Sequence, residues 1–205
     1  MSEVGVYLGG EGNNELGSRC GDPVYQNDSK PGVVATLLRG VQQTGWTVVG
    51  ARKWCQIHKL RAKGPTPADK QNVMGLVFEA KRAKAQVVAF VRDADDDKHR
   101  PKIIADAIGE AKAAFPEVEM IGGTAIPVLE SWVLAMQGEH RTESLSKAAA
   151  QSNLEKKGIS SKDTDALVGV AAKVVPDRLP DDATSLAAWL TTAREVLPRL
   201  VQDAS

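Results

Sequence analysis

The residues best placed to do chemistry are the acids that close the stretch Val87-Val-Ala-Phe-Val-Arg-Asp-Ala-Asp-Asp-Asp97. Its apolar part is short and rich in valine, the pattern of a buried strand. The acids begin where the apolar run stops, so they stand at the C-terminal end of that strand, the edge at which open α/β sheets bind ligands. In an extended chain residues two apart point the same way. Asp93 and Asp95 can therefore face one point, with Asp97 joining them. Carboxylates gathered in this way repel one another unless a cation sits among them, and such hard oxygen donors suit Mg²⁺ or Mn²⁺. The same residues also read as a solvated acidic turn, and the rest of the chain has to decide between the two.

Two further acid positions follow apolar runs. Val4-Gly-Val-Tyr-Leu8 reads as a first strand, broken at Gly9-Gly10, after which Glu11 and Glu15 appear. The glycines permit a tight turn, but no Gly-Lys-Ser/Thr follows and the dinucleotide-binding glycine spacing is absent. Glu11 reads as a carboxylate presented at a strand end or as an ordinary turn residue, and Glu15 as a helix-start acid or a further ligand. Glu130 lies near the start of Ala125-Ile-Pro-Val-Leu-Glu-Ser-Trp-Val-Leu-Ala135, whose Pro127 suits the first turn of a helix. It complements the helix dipole or points at the acid cluster as another metal ligand.

Cations collect in two places. Arg52, Lys53, Lys59, Arg61 and Lys63 follow the second strand with Trp54 among them, and Lys98 and Arg100 follow the acid cluster directly. Such residues hold phosphate backbones, and a tryptophan can stack on a base. They are equally compatible with a solvated loop. Cys55 and His58 have no second Cys/His pair nearby, so zinc is not expected.

The elements that must position these groups alternate. Strands are expected at Val4–Leu8, Trp46–Gly50, from Val87, and at Val118–Ile121, the last ended by Gly122-Gly123. Helices are expected from Val33 to Thr44 with Gly45 as cap, after Pro67, after Pro101 and after Pro127. This order predicts an α/β fold, a mainly parallel sheet flanked by helices. In such a sheet Glu11, Asp93, Asp95 and Glu130 gather on one edge, which favours the metal reading over the isolated turn.

After Gly138 the texture becomes more polar. The expected organisation is an α/β domain over residues 1–138 and a helical extension over 139–205, with a last amphipathic helix over Ser185–Val201 that Pro198 ends or kinks. A short hairpin is expected around Pro23–Tyr25. The 205-residue chain is 42% hydrophobic, enough for a core, and its 26 Lys and Arg balance 26 Asp and Glu, so net charge argues neither for nor against nucleic acid. Cys20 and Cys55 do not make a disulfide framework, and neither a signal peptide nor a membrane span is visible. A soluble cytoplasmic protein, not attached to a membrane, is the expectation.

A strand leading into Glu11-Gly12, followed by a valine-rich strand ending in Asp93-Ala94-Asp95, resembles the TOPRIM fold shared by topoisomerases, bacterial primases, recombination mediators and nucleases of the overcoming-lysogenization-defect type. The segment Ile126–Ala135 is similar to small bacterial TOPRIM-like proteins, and the resemblance covers about residues 1–140. It implies a Rossmann-like sheet, Glu11 as general acid/base or metal-associated acid, and Mg²⁺ held by Asp93 and Asp95, with Glu15, Asp97 and Glu130 as further candidates. The function so implied is metal-dependent hydrolysis of nucleic acid, DNA above all, in a bacterial defence or toxin setting, with a partner ATPase and a homo-oligomer as possible assemblies. Rejoining and priming are not expected, because Tyr7 and Tyr25 sit in or beside the first motif and no zinc domain or helicase accompanies it. Two alternatives stay open: a TOPRIM-like module that binds nucleic acid or a partner without cutting, and a nucleotide-sugar glycosyltransferase using Asp-x-Asp to hold Mn²⁺.

Overall fold

The computed structural model describes residues 3–17, 30–59, 66–95 and 97–204. Its elements run β1 (Val4–Gly10), α1 (Asn13–Leu16), α2 (Val33–Val41), β2 (Trp46–Lys53), α3 (Ala68–Arg82), β3 (Val87–Asp93), α4 (Arg100–Ala114), β4 (Glu119–Ala125), α5 (Leu129–Met136), α6 (Lys147–Lys156), α7 (Thr164–Ala171) and α8 (Thr184–Asp203). The strands form one parallel sheet in the order β2-β1-β3-β4. The expected α/β architecture is present: a four-stranded parallel sheet of Rossmann-like type, flanked by helices and followed by C-terminal helices.

The strand order reverses between β1 and β3, and a crevice opens at such a reversal, at the C-terminal ends of the two strands. Which helix layer a strand residue meets follows from the alternation of side chains along an extended chain. In β3, Val87, Ala89 and Val91 join the core shared with α2, α5 and α8, whereas Val88 and Phe90 join the core under α3 and α4. β1 divides in the same way, with Val4, Val6 and Leu8 on the α2 side and Tyr7 on the α3 side. Continuing that count to the end of β3 sends Arg92 toward α3 and Asp93 toward α5.

Four expectations about boundaries need correcting. Gly9-Gly10 and Gly122-Gly123 do not interrupt their strands: β1 continues past Leu8 to Gly10, and β4 runs through Gly122 and Gly123 to Ala125. The glycines serve close approach instead. The Phe90 ring lies where a Cβ of Gly122 would be, and a Cβ on Gly10 would stand 2.5 Å from that of Glu15. Pro127 precedes α5 rather than opening it, since the helix begins at Leu129 with Val128 as its cap. Pro198 does not end α8, which continues to Asp203 because its last turns are held from outside, by the Arg199–Glu119 ion pair and by Leu200 and Val201 packed on the core. Gln42, not Gly45, caps α2. The hairpin expected at Pro23–Tyr25 lies outside the described residues.

The C-terminal helices share the core of the sheet. Leu186, Trp189, Leu190 and Leu197 of α8 are buried with residues of β1 and β3, and Trp189 Nε1 donates to the Phe90 carbonyl at 3.0 Å. α6 starts at Ser146, whose hydroxyl accepts from Ala149 N at 3.2 Å, and α7 at Asp163, whose carboxylate accepts from Ala166 N at 3.1 Å. No helix among the described residues is long and apolar enough to cross a membrane.

Candidate functional site

The acids at the β1/β3 edge fall into two groups. The first is an ion-paired network on the α3 and α4 side. Arg92 donates to Glu11 Oε1, and its Nε lies 3.4 Å from Asp69 Oδ1. Arg100 donates to Asp69 Oδ2 at 3.0 Å and to Asp95 Oδ2 at 2.8 Å, and its Nη1 also reaches the carbonyls of Asp93 and Ala94. Lys147, from α6, donates to Asp95 Oδ1 at 2.8 Å. Burial pushes Asp95 up, but Lys147, Arg100 and Arg92 outweigh it and hold the carboxyl below the usual range.

Asp93 and Asp95 do not share one direction. β3 ends at Asp93, and Asp95 sits in the left-handed region at φ 50, which Asp tolerates better than most residues. The period-two alternation of side chains therefore stops at Asp93. The turn is pinned by Ala94 N to the Ala125 carbonyl and by Asp95 N to the Pro127 carbonyl, both at 2.8 Å. Asp97 accepts from His99 N at 2.9 Å as a local turn residue.

The second group is Glu15, Asp93 and Glu130, at 5%, 8% and 7% exposure. None of the three makes an ion pair among the described residues, and each has one hydrogen bond. Leu129 N, at the start of α5, donates to Asp93 Oδ1 at 2.9 Å; Gly12 N donates to Glu15 Oε2 at 2.8 Å; and Gln151 Nε2, from α6, donates to Glu130 Oε1 at 3.2 Å. Burial, then the charges of Glu15 and Glu130, push Asp93 up to about 7 against the pull of the Leu129 amide. Burial likewise raises Glu15, with Glu130 adding to it. The two groups meet where Asp93 N donates to Glu11 Oε1 at 3.1 Å.

No protein-family model, no curated protein and no solved structure matches this chain. The site's chemistry has to be read from its own residues. Among the described residues, no three His, Cys, Asp or Glu side chains are already gathered so as to hold a metal ion. The second group's donor types, three buried carboxylates that influence one another electrostatically and make no ion pair among the described residues, are those a hard divalent cation takes.

The basic residues divide too. Trp54 is 6% exposed: its indole N–H donates to Asp69 at 2.9 Å, and its ring lies against Phe90 and Arg92. It is a core residue without an open face for a base. Arg52 is bound through Nε to Glu79 at 2.8 Å, and Arg100 belongs to the acid network. Lys59 and Lys98 are exposed and Lys53 half-buried. Lys98 stands with Asp95 and Asp97 on a cleft of about 460 Å³, floored by Pro101, Ile126 and Leu145. Arg61 and Lys63 lie outside the described residues.

Four participants were not singled out by sequence reasoning: Asp69, Arg92, Lys147 and Gln151. Arg92 was within reach, because alternation along β3 sets it opposite Asp93. Lys147 and Gln151 are four apart, so one face of α6 carries both, but nothing in the sequence joins that face to Asp95 and Glu130.

Proposed function

We propose that this protein is a TOPRIM-like phosphodiesterase acting on nucleic acid with a divalent cation, and that Asp93, Glu15 and Glu130 hold the ion. The observation that carries this reading is the burial of three carboxylates, none ion-paired among the described residues, at the strand-order reversal of a parallel sheet. Three such charges are costly to keep in a protein interior unless neutralised, and the raised proton affinity of Asp93 has the same physical origin. When bound, Mg²⁺ or Mn²⁺ would offset the charge on a phosphate and polarise water.

The chain's own residues supply the rest. Glu11, oriented by Arg92 and the Asp93 amide, presents a carboxylate at the rim, suited to take or return a proton at an attacking or leaving oxygen. Arg92 and Arg100 hold Glu11 and Asp95 in place, and α6 closes over the acids through Lys147 and Gln151. Exposed Lys98 and Lys59 are suited to hold a phosphate backbone without reading its sequence. Free, exposed Cys55 suits a reducing, cytoplasmic setting.

One observation favours a second reading, a module that binds nucleic acid or a partner without cutting it. Glu11 and Asp95, two of the residues that the TOPRIM resemblance makes catalytic, are already satisfied by Arg92, Arg100 and Lys147.

The deciding experiment pairs thermal melts with DNA cleavage in Mg²⁺ or Mn²⁺, using plasmid and single-stranded substrates. The phosphodiesterase reading expects metal to raise the melting temperature and to support cleavage, with both effects lost in Asp93→Asn and Glu130→Gln. DNA binding without metal stabilisation or cleavage selects the second reading. Absence of all three rejects both.

A further inference from the structure

A different cluster lies on the α3 side of the edge strand β2. Two adjoining concavities of about 360 and 280 Å³ share the side chains of Arg52, Glu79 and Arg82. Gln56, His58 and Phe78 complete the first, and Tyr7 and Val49 border the second.

The cluster is built rather than incidental. Glu79 organises it: Oε2 accepts from the Tyr7 hydroxyl at 3.0 Å and from Arg52 Nε at 2.8 Å, and Oε1 accepts from His58 N at 3.0 Å. The segment carrying Gln56 and His58 is seated directly on α3, where the His58 carbonyl fills the space that a Cβ of Gly75 would need. Arg52 is thus fixed through Nε, with the Tyr7 hydroxyl also beside its guanidinium. Arg82 makes no ion pair among the described residues. Beside these cations Phe78 is 37% exposed, unusual for a large apolar side chain in this chain.

A pre-oriented guanidinium, a second guanidinium without an acid, an exposed aromatic ring and a side-chain amide in one concavity match the parts of a nucleotide. Guanidinium groups take up phosphate oxygens, a ring face takes a base, and an amide can pair with the base edge. We propose that this concavity is a nucleotide subsite, with phosphate on Arg52 and Arg82, the base against Phe78 and its edge at Gln56. Two sources share that chemistry, a nucleic-acid strand and a free nucleotide. The subsite stands on residues apart from the acids, so it holds even if the phosphodiesterase reading fails.

The test uses the full chain in EDTA, which removes any contribution of divalent metal at the acid site. Binding of a short fluorescent oligothymidylate is followed by anisotropy over a range of salt, with AMP as competitor. Arg82→Gln and Phe78→Ala each weaken binding by about fivefold or more, and Arg82→Gln also lowers the salt slope by about one. Both side chains are exposed, so the variants stay folded, and their melting curves check this. Displacement of the strand by AMP identifies a subsite for free nucleotides, and resistance to AMP one for a strand. The proposal is overturned if wild type binds neither probe, or if both variants bind as tightly as wild type.

Discussion

At one sheet edge Glu11, Asp69 and Asp95 are matched by Arg92, Arg100 and Lys147, while Glu15, Asp93 and Glu130 are buried with one hydrogen bond apiece and no ion pair among the described residues. The first group is electrostatically complete within the protein itself. The second is not, and its cost appears as the raised proton affinity of Asp93. Carboxylates two positions apart therefore differ in what they can still do: Asp95 is committed to structure, and Asp93 is available to a proton and, under the proposed function, to a metal ion.

Removing the central cation of the first group breaks the contrast most sharply. Arg92→Met leaves Glu11 without its guanidinium and Asp69 with Arg100 and Trp54 alone, and urea unfolding should show a loss of about 3–5 kcal/mol. The second group should respond in the opposite sense. Without divalent metal, wild-type stability should fall as pH rises from about 4 to about 7 and then level off. The folded protein keeps a proton on Asp93 through that window, whereas the unfolded chain has released it near the ordinary carboxylate value. The change is roughly 3–4 kcal/mol if Asp93 alone carries it. Asp93→Asn, which retains an acceptor for Leu129 N, should flatten that slope, and an unchanged slope would remove Asp93 from the comparison.

Gly10→Ala sharpens the comparison from the backbone. Its Cβ would crowd Glu15, so the cost should be about 2 kcal/mol, and the melting response to Mn²⁺ should shrink although no acid has been altered. Lys147→Ala should have the smallest effect, about 0.5 kcal/mol, because the pair with Asp95 is partly exposed and Arg100 remains on the same carboxylate. Denaturation midpoints at unchanged m-value would measure both.

The strands, most of the helices and the convergence of Glu11, Asp93 and Glu130 on one edge were legible in the sequence, because apolar runs of strand length and proline-started helices leave local marks. The division of the acids was not. It depends on Asp95 leaving the extended conformation, on Asp69 reaching Arg92 from the start of another helix, and on Lys147 meeting Asp95 across 52 positions. Trp54 misled for a related reason: its neighbours in sequence are basic, while its neighbours in space are Phe90, Asp69 and Arg92. The glycines of β1 and β4 read as strand ends because their purpose, room for Phe90 and Glu15, belongs to residues elsewhere in the chain.

The alternation along β3 carries one more consequence. Arg92 and Asp93 are consecutive, and the sheet sends them to opposite layers. If β3 slipped by one residue against β1 and β4, the guanidinium would leave Glu11 for the α5 layer, Leu129 N would lose its acceptor, and the carboxylate would be carried toward the acids Glu11 and Asp69. Glu15 and Glu130 would attract the displaced guanidinium, but the Glu11 pair and the Leu129 bond would be lost together and the carboxylate repelled. The neighbouring pair thus acts as a lock on strand alignment, penalising misregistered sheets at the same positions where the finished protein keeps its chemistry.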